Sequence, residues 1–504
     1  MTLFRSFLLS AFVGLAAHAA DRPNVLFIAV DDLRPELGCY GKDYIKSPNI
    51  DRLAQSGITF NRAFCQQAVC SPTRSSLMTG TRPDTTKVWD LVTHFRTALP
   101  NVITLGQHFK NHGYFVQGMG KIYHGGYDDP ATWSVPWRTP QAIKYALPEN
   151  QKLDGRQFEG EPDDANKMSA ETKAARGAAG LRTLKMNSLG PAFEGADVPD
   201  GTFQDGKVAE LAVSTLQTLS KRPEPFFLAV GFIRPHLPFV SPKKYWDLYD
   251  PAKIELAPNK FRQIDAPDYA IMPGAELRSY NGIPSGSIPD GLARQLKHGY
   301  YASVSYTDAQ VGKVLAELDR LGLRKNTIVI LWGDHGWKLG EHDAWCKHSN
   351  CENDTNAPLI LSVPGLKSAG AHTDSIVEFV DVYPTLSELA GLPLPGHLEG
   401  LSFKPLLDDP SRPWKQAAFS QYPRNQKGGL MGYSMRTARY RFTVWVARGD
   451  HAKIDAVELY DHQSDPQENT NVAKFPANAA LVEQLMAQWR RGWQGALPIA
   501  GKGS

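Results

Sequence analysis

The sequence has little net charge and few cysteines, and past its first twenty residues it lacks long apolar runs. In 504 residues, 55 Lys and Arg offset 52 Asp and Glu, which leaves a formal net charge of +3. Because no basic block stands out, we expect no nucleic-acid partner. No later run approaches the roughly 20 residues that span a bilayer, so we expect no stable membrane anchor. Hydrophobic residues make up 42% of the chain, which excludes a mainly disordered protein.

The first twenty residues, MTLFRSFLLSAFVGLAAHAA, have the features of a secretory signal. Arg5 precedes an apolar core at residues 6–16, and Ala17-His18-Ala19 forms a small-x-small cleavage site. A membrane anchor is the alternative, but the apolar stretch is too short to span a bilayer. We therefore predict a signal peptide at residues 1–19 and an exported protein, periplasmic or secreted.

Four short apolar runs occur at residues 24–30, 114–118, 226–232 and 327–332. Runs that are apolar on both faces are typical of buried strands in a parallel sheet. Segments with helical periodicity separate them, at residues 50–55, 102–111, 204–220 and 295–321. This alternation of strand and helix predicts a doubly wound α/β domain.

Polar side chains with catalytic or metal-binding chemistry follow each of the four runs. In chain order they are Asp31, Asp32, Lys121, His124, His236, Asp334 and His335. In open α/β sheets, ligands bind at the carboxyl ends of the strands. The sequence therefore predicts that these side chains meet at one edge of the sheet.

The composition changes in two places along the chain. Residues 130–200 are rich in Pro, Gly, Lys and Glu, which indicates an insertion with long loops. A second break falls near residues 392–413. Beyond it, antiparallel strands are predicted at 417–422, 432–436, 439–447 and 457–460, and an amphipathic helix at 477–493. We predict a catalytic domain at 20–400 and a smaller C-terminal α+β domain at 401–504.

Cys70 lies in the segment AVCSPTRSSLMTG, residues 68–80. Pro72 suits the first turn of a helix and Gly80 suits its C-terminal cap. Cys70 would then sit at a helix N-terminus, where free N–H groups favour an anion, and Arg74 could reach the same place. From spacing alone, a buried structural cysteine at the start of a core helix remains an equal alternative.

Residues 70–74, Cys-Ser-Pro-Thr-Arg, resemble the sulfatase signature Cys-x-Pro-x-Arg, with Thr73 at a position more often Ser. The resemblance extends through VDDLRPELGCYG (30–41), SPNIDRLA (47–54), GTRPDTT (80–86), GKIYH (120–124), LAVGFIRPHLPF (228–239), WGDHGWKLGEH (332–342), SQYPR (420–424), GYSMRT (432–437) and ELYDHQSDPQEN (458–469). Together these segments are similar to the iduronate-2-sulfatase-like branch of the sulfatase family. The resemblance implies an alkaline-phosphatase-like fold, with a large, mixed, mostly parallel sheet between helices.

The resemblance also implies the chemistry of the site. Cys70 would be oxidised to formylglycine by a maturation enzyme and would bind Ca²⁺, with Mg²⁺ less favoured. The other implied ligands are Asp31, Asp32, Asp334 and His335. Carboxylate oxygens suit these hard cations, whereas a histidine ligand to Ca²⁺ is unusual. The alternative interpretation of Asp31-Asp32 is a pair of helix-capping residues.

The resemblance assigns the remaining catalytic roles to cations and histidines. Arg74 would stabilise the hydrated aldehyde, while Lys121 and Lys347 would hold sulfate oxygens. His236 would protonate the leaving oxygen, and His124 would hold or deprotonate the aldehyde hydrate. His124 departs from the common Gly-Lys-x-His pattern by one inserted residue, and a structural histidine is its alternative.

The expected substrate is a sulfated oligo- or polysaccharide. Trp337, His94 and Arg96 lie in or beside the segments that carry the resemblance, and they are the expected substrate contacts. Trp337 could stack on a sugar face, and Arg96 could meet a carboxylate or a second sulfate. The resemblance suggests a 2-O-sulfated uronate of a glycosaminoglycan, with a sulfated algal polysaccharide as the other possibility. Two further hypotheses remain: a phosphodiesterase or phosphonate monoester hydrolase with the same nucleophile, and a non-catalytic glycan binder if Cys70 is unmodified.

An odd number of cysteines, five, is unexpected in an exported protein, and assigning Cys70 as the nucleophile leaves four. Cys346 and Cys351 flank Lys347 closely enough to pair, although connectivity cannot be read from sequence. We expect Cys346 and Cys351 to be bonded, and Cys39 and Cys65 to be buried and reduced.

Overall fold

A computed structural model describes residues 22–154, 158–159 and 189–498. The predicted signal peptide and much of the predicted insertion at 130–200 lie outside the described residues. The described parts of that insertion form a short helix and short strands rather than long regular elements. Within the described ranges, no helix combines the length and apolarity needed to cross a bilayer.

The centre of the protein is a seven-stranded sheet. In chain order its strands are β1 (Asn24–Val30), β2 (Ile58–Phe60), β3 (Phe115–Gly120), β4 (Phe226–Phe232), β5 (Thr327–Gly333), β6 (Leu359–Ser362) and β7 (His372–Thr373). Their spatial order is β7-β2-β6-β5-β1-β4-β3. β1 pairs in parallel with both β4 and β5, whereas β6 runs antiparallel to its two neighbours. The expected mixed, mostly parallel sheet is confirmed.

Helices cover both faces of this sheet. The described residues form α1 (Pro48–Gln55), α2 (Cys70–Thr79), α3 (Pro83–Thr86), α4 (Leu105–Asn111), α5 (Pro148–Leu153), α6 (Gln204–Leu219), α7 (Lys243–Trp246), α8 (Asp290–Arg320), α9 (Glu352–Thr355), α10 (Val382–Leu389) and α11 (Pro405–Asp408). The side chains of β1 alternate between two apolar clusters, one shared with α1, α6 and α8 and the other with α2, α4 and α10. Burial on both faces explains why the sequence of each of these strands is a continuous apolar run.

Predicted and observed helix boundaries differ by up to five residues. The helix expected from residue 102 begins at Leu105, because the Thr104 side chain accepts a hydrogen bond from the Gln107 amide and caps it. The helix expected from residue 295 begins five residues earlier at Asp290, where an acidic residue suits the positive end of the helix dipole.

The C-terminal part forms a second sheet. Its antiparallel strands are β8 (Ala417–Arg424), β9 (Leu430–Thr437), β10 (Tyr440–Ala447) and β11 (Asp450–Asp461), in that spatial order. Helix α12 (Ala479–Arg490) packs Leu485 and Trp489 against the apolar side of this sheet. The predicted α+β architecture is thereby confirmed, while the exact domain boundary at residue 400 stays a prediction.

The expected disulfide between Cys346 and Cys351 is wrong: all five cysteines are free thiols. Cys346 packs in the main core beside the central sheet, whereas Cys351 packs in a separate small cluster with Ile271 and Ala344. The two side chains are therefore directed into different parts of the interior. Cys65 is buried as expected, but Cys39 is only half-buried.

The remaining short strands form two-stranded ladders. They pair Ala63–Phe64 with Val377–Glu378, Ala142–Ile143 with Phe158–Glu159, Leu189–Pro191 with Tyr280–Asn281, Phe193–Ala196 with Phe239–Pro242, and Lys338–Leu339 with Trp345–Cys346. The last ladder matters for the site, because its second strand leads directly into Lys347.

Candidate active site

Three carboxylates converge where β1 and β5 end. Val30 and Gly333 are register partners in these parallel strands, so Asp31 and Asp32 emerge beside Asp334. The Asp32 amide donates to the Asp334 carboxylate at 3.0 Å, and Asp32 adopts a positive φ of 57°. All three residues are fully buried. The predicted meeting of these side chains at one edge of the sheet is therefore observed.

Cys70 faces this carboxylate cluster from the N-terminus of α2. It is the first helical residue, after Val69 in an extended conformation. Its sulfur lies 3.3 Å from Asp31 Oδ1 and 3.4 Å from His335 Nε2. Burial, reinforced by Asp31, raises the pKa of the Cys70 thiol well above its ordinary value. An unmodified Cys70 is therefore a neutral thiol, which is a poor nucleophile.

Arg74 connects helix α2 to the ends of β1 and β5. Its Nε donates to Asp334 at 2.9 Å and its Nη2 donates to Asp31 at 3.0 Å. Its Nη1 donates to the Ile122 carbonyl at 3.0 Å. The guanidinium is fully buried, so these charge-assisted bonds hold the carboxylates in a fixed arrangement.

Two lysines complete the positive side of the site. Lys121 forms a salt bridge with Asp31, and its ammonium lies 3.9 Å from the Cys70 sulfur. Lys347 donates to both carboxylate oxygens of Asp32 at 3.0 Å. Burial opposes ionisation of Lys347, but Asp32 and other anions raise its pKa well above the ordinary value. Lys347 is therefore a permanent buried cation.

The expectation that Trp337 stacks on a sugar face is wrong. Its side chain is fully buried, so it presents no ring face to a substrate. Instead the Lys347 ammonium lies 4.8 Å from the ring centroid, and Phe239 packs edge-on against the ring. Trp337 thus supports the ammonium through a cation–π contact.

The orientation of the His335 ring is fixed by a backbone carbonyl. Its Nδ1 lies 3.0 Å from the Gly336 carbonyl, which assigns the proton to Nδ1. Nε2 then carries a lone pair, and it lies 3.4 Å from the Cys70 sulfur, 3.4 Å from Asp32 and 3.7 Å from Asp334. A backbone carbonyl behind a ligating histidine is the usual arrangement in metal sites.

The carboxylate, imidazole and sulfur atoms of this cluster could hold a metal ion. Candidate ligand atoms of Asp31, Asp32, Cys70 and His236 lie within 4.8 Å of one another, as do those of Cys70, Asp334 and His335. Burial keeps the pKa of Asp32 above its ordinary value despite the nearby Lys347. The protein's own cations therefore leave this carboxylate undercompensated, as expected where an ion binds.

The two histidines expected to transfer protons differ in their surroundings. His236 Nδ1 lies 2.6 Å from the Leu237 carbonyl, and its Nε2 faces the carboxylates of Asp32 and Glu276. Burial alone would lower the pKa of His236, but Asp32 raises it above the ordinary value. Two acceptors at its two nitrogens indicate an imidazolium.

His124 has the opposite character. Burial, together with the charges of Lys121 and Arg74, lowers its pKa well below the ordinary value. In the described part of the chain its Nδ1 has no hydrogen-bond partner. A neutral, half-buried imidazole with an unpartnered nitrogen can accept a proton.

The predicted substrate residues His94 and Arg96 are not part of the charged cluster. Arg96 donates to both oxygens of Asp129 at 2.9 and 2.8 Å, and to the carbonyls of Pro100 and Val102. These contacts engage its guanidinium within the protein, so a substrate contact by Arg96 is not supported. His94 is half-buried, and its Nδ1 accepts from the Arg96 amide.

Sequence reasoning missed Glu276 and Arg424. Glu276 contacts both His236 and Lys347 at 2.9 to 3.0 Å, yet it lies in an irregular stretch without a motif. Arg424 ends the SQYPR segment and donates to the carbonyls of Ala270 and His348 at 2.9 and 2.7 Å. The SQYPR segment could have indicated Arg424 as a functional residue, whereas no sequence pattern indicated Glu276.

Comparison with known proteins identifies close relatives over most of the chain. Residues 23–392 match the family model described as Sulfatase, and residues 340–493 match N-sulphoglucosamine sulphohydrolase, C-terminal. The chain is 37% identical to the iduronate 2-sulfatase of Mus musculus over 543 residues, covering 93% of this chain and 94% of that relative. Its identity to the Homo sapiens iduronate 2-sulfatase is 36%, covering 94% of each chain.

Solved structures show the same fold at lower identity. One is a protein in complex with its substrate D-glucosamine-2-N,6-O-disulfate, with a TM-score of 0.71, 20% identity and coverage of 94% of this chain and 98% of that one. Another is a phosphonate monoester hydrolase from Silicibacter pomeroyi, with a TM-score of 0.70, 22% identity and coverage of 94% and 96%. At such identities the likeness establishes the architecture alone.

Proposed function

The chain belongs to the sulfatase family, and from that premise we propose that it hydrolyses the 2-O-sulfate of a uronate in a sulfated saccharide. Sulfuric ester hydrolysis is the activity of the family. The observation that carries the assignment is the position of Cys70, which lies against Asp31, His335 and Lys121 within one buried charged cluster. A site of this kind surrounds an anionic ester with cations that offset its negative charge.

Residue 70 is the proposed nucleophilic centre. Once oxidised to formylglycine by a maturation enzyme, it would supply a hydrated aldehyde whose hydroxyl attacks sulfur. The surrounding residues fit this group: the raised pKa of the Cys70 thiol makes the unmodified residue unsuited to attack, and His124 offers a free nitrogen nearby. Arg74 would hold the modified side chain through the carboxylates that it orients.

Proton transfer is assigned to the two histidines. His236, held as an imidazolium by its two flanking acceptors, would donate a proton to the leaving alcohol oxygen. His124, whose pKa is depressed, would accept the proton that residue 70 must lose. Lys121 and Lys347 would bind sulfate oxygens and offset the charge that develops on them. The full burial of Asp31, Asp32 and Asp334 keeps bulk water away from this part of the site.

The proposed metal ion is Ca²⁺, held by Asp31, Asp32, Asp334 and His335 together with residue 70. When bound, it would screen the charge of the sulfate group and polarise it. Oxygen donors suit both Ca²⁺ and Mg²⁺. We favour Ca²⁺ because it accepts six to eight ligands in flexible geometry, whereas Mg²⁺ needs near-ideal octahedral geometry.

The uronate assignment is supported by the identity to iduronate 2-sulfatases at full length. His94 remains a proposed contact to the sugar, because it is partly accessible and packs against Tyr127 beside His124. The glycan could belong to a glycosaminoglycan or to a sulfated algal polysaccharide. We further propose export through a signal peptide at residues 1–19, with a catalytic domain at 20–400 and a smaller domain at 401–504.

A panel of defined oligosaccharides tests the proposal. We expect release of inorganic sulfate from a substrate with a 2-O-sulfated uronate at its non-reducing end, and little release when the sulfate is at the 6-position of a glucosamine. Exclusive reaction with galactan sulfates would favour the algal substrate. Phosphate and phosphonate esters of matched alcohols form the control arm, and faster turnover of those esters would contradict a sulfatase.

The conversion of Cys70 to formylglycine is measured separately, because a protein with an unmodified Cys70 would bind glycans without hydrolysing them. Mass spectrometry of a peptide that covers residues 66–82 distinguishes the aldehyde from the thiol. A converted residue 70 in an inactive protein would count against the proposed substrate. An unconverted residue in a protein that binds sulfated glycans would favour the binding-only hypothesis.

A further inference from the structure

Glu276 occupies the donors that the proposed reaction requires for the sulfate ester. His236 Nε2 lies 3.0 Å from one carboxylate oxygen of Glu276. Lys347 Nζ lies 3.0 Å from that oxygen and 2.9 Å from the other. In the proposed function these same two groups protonate the leaving oxygen and bind a sulfate oxygen. A single carboxylate of the protein therefore stands where the ester has to be bound.

The two cations have few other donors to offer. Nδ1 of His236 is directed at the Leu237 carbonyl, so Nε2 is the remaining N–H of the ring. An ammonium has three N–H donors, and Asp32 accepts from Lys347 at two oxygens. The remaining N–H donor of Lys347 and the Nε2–H of His236 both face Glu276. An ester that reaches both cations must therefore take the place of this carboxylate.

Glu276 lies on the solvent side of the cluster. Its side chain is 20% exposed, similar to His236 at 22%, whereas Lys347 is 2% exposed and Asp32 is fully buried. Burial would raise the pKa of Glu276, but Lys347 and His236 hold it well below the usual range. The side chain is thus an anion with a path toward solvent. Asp32 already takes two of the three N–H donors of Lys347, so a sulfate group and Glu276 compete for the donors that remain.

We propose that Glu276 is an internal placeholder for the sulfate group, paired with His236 and Lys347 in the free protein and displaced when the substrate binds. The inference rests on the proposed function and adds the exchange of anions that begins and ends each turnover. Competition from the carboxylate weakens the binding of every sulfate, including the inorganic product. Return of Glu276 to the two cations would then assist product release.

Calorimetric titration with inorganic sulfate tests this role without requiring turnover. All proteins are prepared with the same maturation of residue 70 and the same Ca²⁺ content. Glu276→Gln removes the charge and keeps the size and one acceptor oxygen, so we expect sulfate to bind roughly tenfold more tightly or better. Glu276→Ala should also bind sulfate more tightly. Agreement between the two variants would show that the effect comes from loss of the carboxylate and not from a local structural change in one of them.

Two further variants separate charge from position. Glu276→Asp keeps the charge but shortens the side chain by one methylene group, so its sulfate affinity should lie between those of the parent protein and Glu276→Gln. Glu388→Gln removes a half-exposed carboxylate that pairs with Lys404 on the surface, and it controls for net charge. It should leave sulfate binding unchanged, because exposed charges are screened by solvent.

The outcomes distinguish this inference from the proposed function. If Glu276→Gln and Glu276→Ala bind sulfate no more tightly than the parent protein, Glu276 is not a placeholder. Sulfate release from an ester is measured on the same preparation of the parent protein. Tighter binding by the variants, with no ester hydrolysed by the parent, would support the placeholder and contradict the proposed function alone.

Discussion

Lys347 donates to both carboxylate oxygens of Asp32 at 3.0 Å, although 315 residues separate the two in the chain. The pair is almost completely inaccessible, with 2% and 0% of the two side chains exposed. Removing one member of such a pair leaves an uncompensated buried charge. The pair therefore stabilises the packing of the segment after Cys346 against the end of β1.

Lys347→Met should both destabilise and inactivate the protein. The substitution keeps the length of the side chain on the Trp337 ring but leaves Asp32 unpaired, at a cost of about 3–5 kcal/mol. Urea denaturation measures that free energy of unfolding. Lys243→Met is the matched control, because Lys243 pairs with Asp247 at a site where both side chains are more than half exposed. Its effect should stay below about 1 kcal/mol, and equal losses in both variants would contradict the account.

The pH profile of kcat/KM should have an alkaline limb set by His236. Because Asp32 raises the pKa of His236 above 6.5, the protonated acid persists to higher pH and is lost only as the pH rises through the raised value. His124 has a depressed pKa, so its basic form survives into the acidic range. We expect His236→Gln to remove the alkaline limb from its residual activity. Persistence of the limb in that variant would assign the acid elsewhere.

Elements buried on both faces could be predicted closely from the sequence. β1 and β4 match their predicted bounds, and the strand ends place Asp31, Asp32 and Asp334 together because parallel strands share one carboxyl edge. Apolar runs of seven residues carry this information directly. Boundaries that depend on a cap, as at Thr104, were displaced by a few residues.

Side-chain partners made across the fold could not be predicted in this way. Trp337 and Arg96 both lie in segments that resemble relatives, yet one is enclosed under Lys347 and the other is bound to Asp129. Glu276 lies in an irregular stretch between α7 and α8 with no periodicity to mark it. Its role follows only from where that stretch is packed. Contacts of this kind are properties of the tertiary structure.

Chelation should abolish activity and lower the melting temperature. Three fully buried carboxylates share one cluster, and loss of a divalent ion would leave Asp32 undercompensated. We expect Ca²⁺ to restore both properties of the chelated protein, with Mg²⁺ as the control ion. Differential scanning calorimetry and sulfate release measure the two effects. Full activity after exhaustive chelation would exclude the proposed metal.

Arg424→Met should destabilise the contact between the C-terminal sheet and the active-site loops. Arg424 donates to the carbonyls of Ala270 and His348, and among the described residues no carboxylate forms a salt bridge with it. Leaving buried carbonyls without donors should cost roughly 3 kcal/mol. Arg439→Met is the control, because Arg439 is half exposed and pairs with Asp461. Equal unfolding free energies for both variants would show that the buried contacts contribute nothing specific.

The most direct test compares sulfate release by the parent protein and by Cys70→Ala on one 2-O-sulfated uronate substrate. Circular dichroism and the melting temperature should show that both proteins are folded. The account predicts rapid release by the parent and a loss of at least about 10³-fold in Cys70→Ala, since the nucleophile is absent. Comparable release by the two proteins would contradict the central claim that residue 70 carries the reaction.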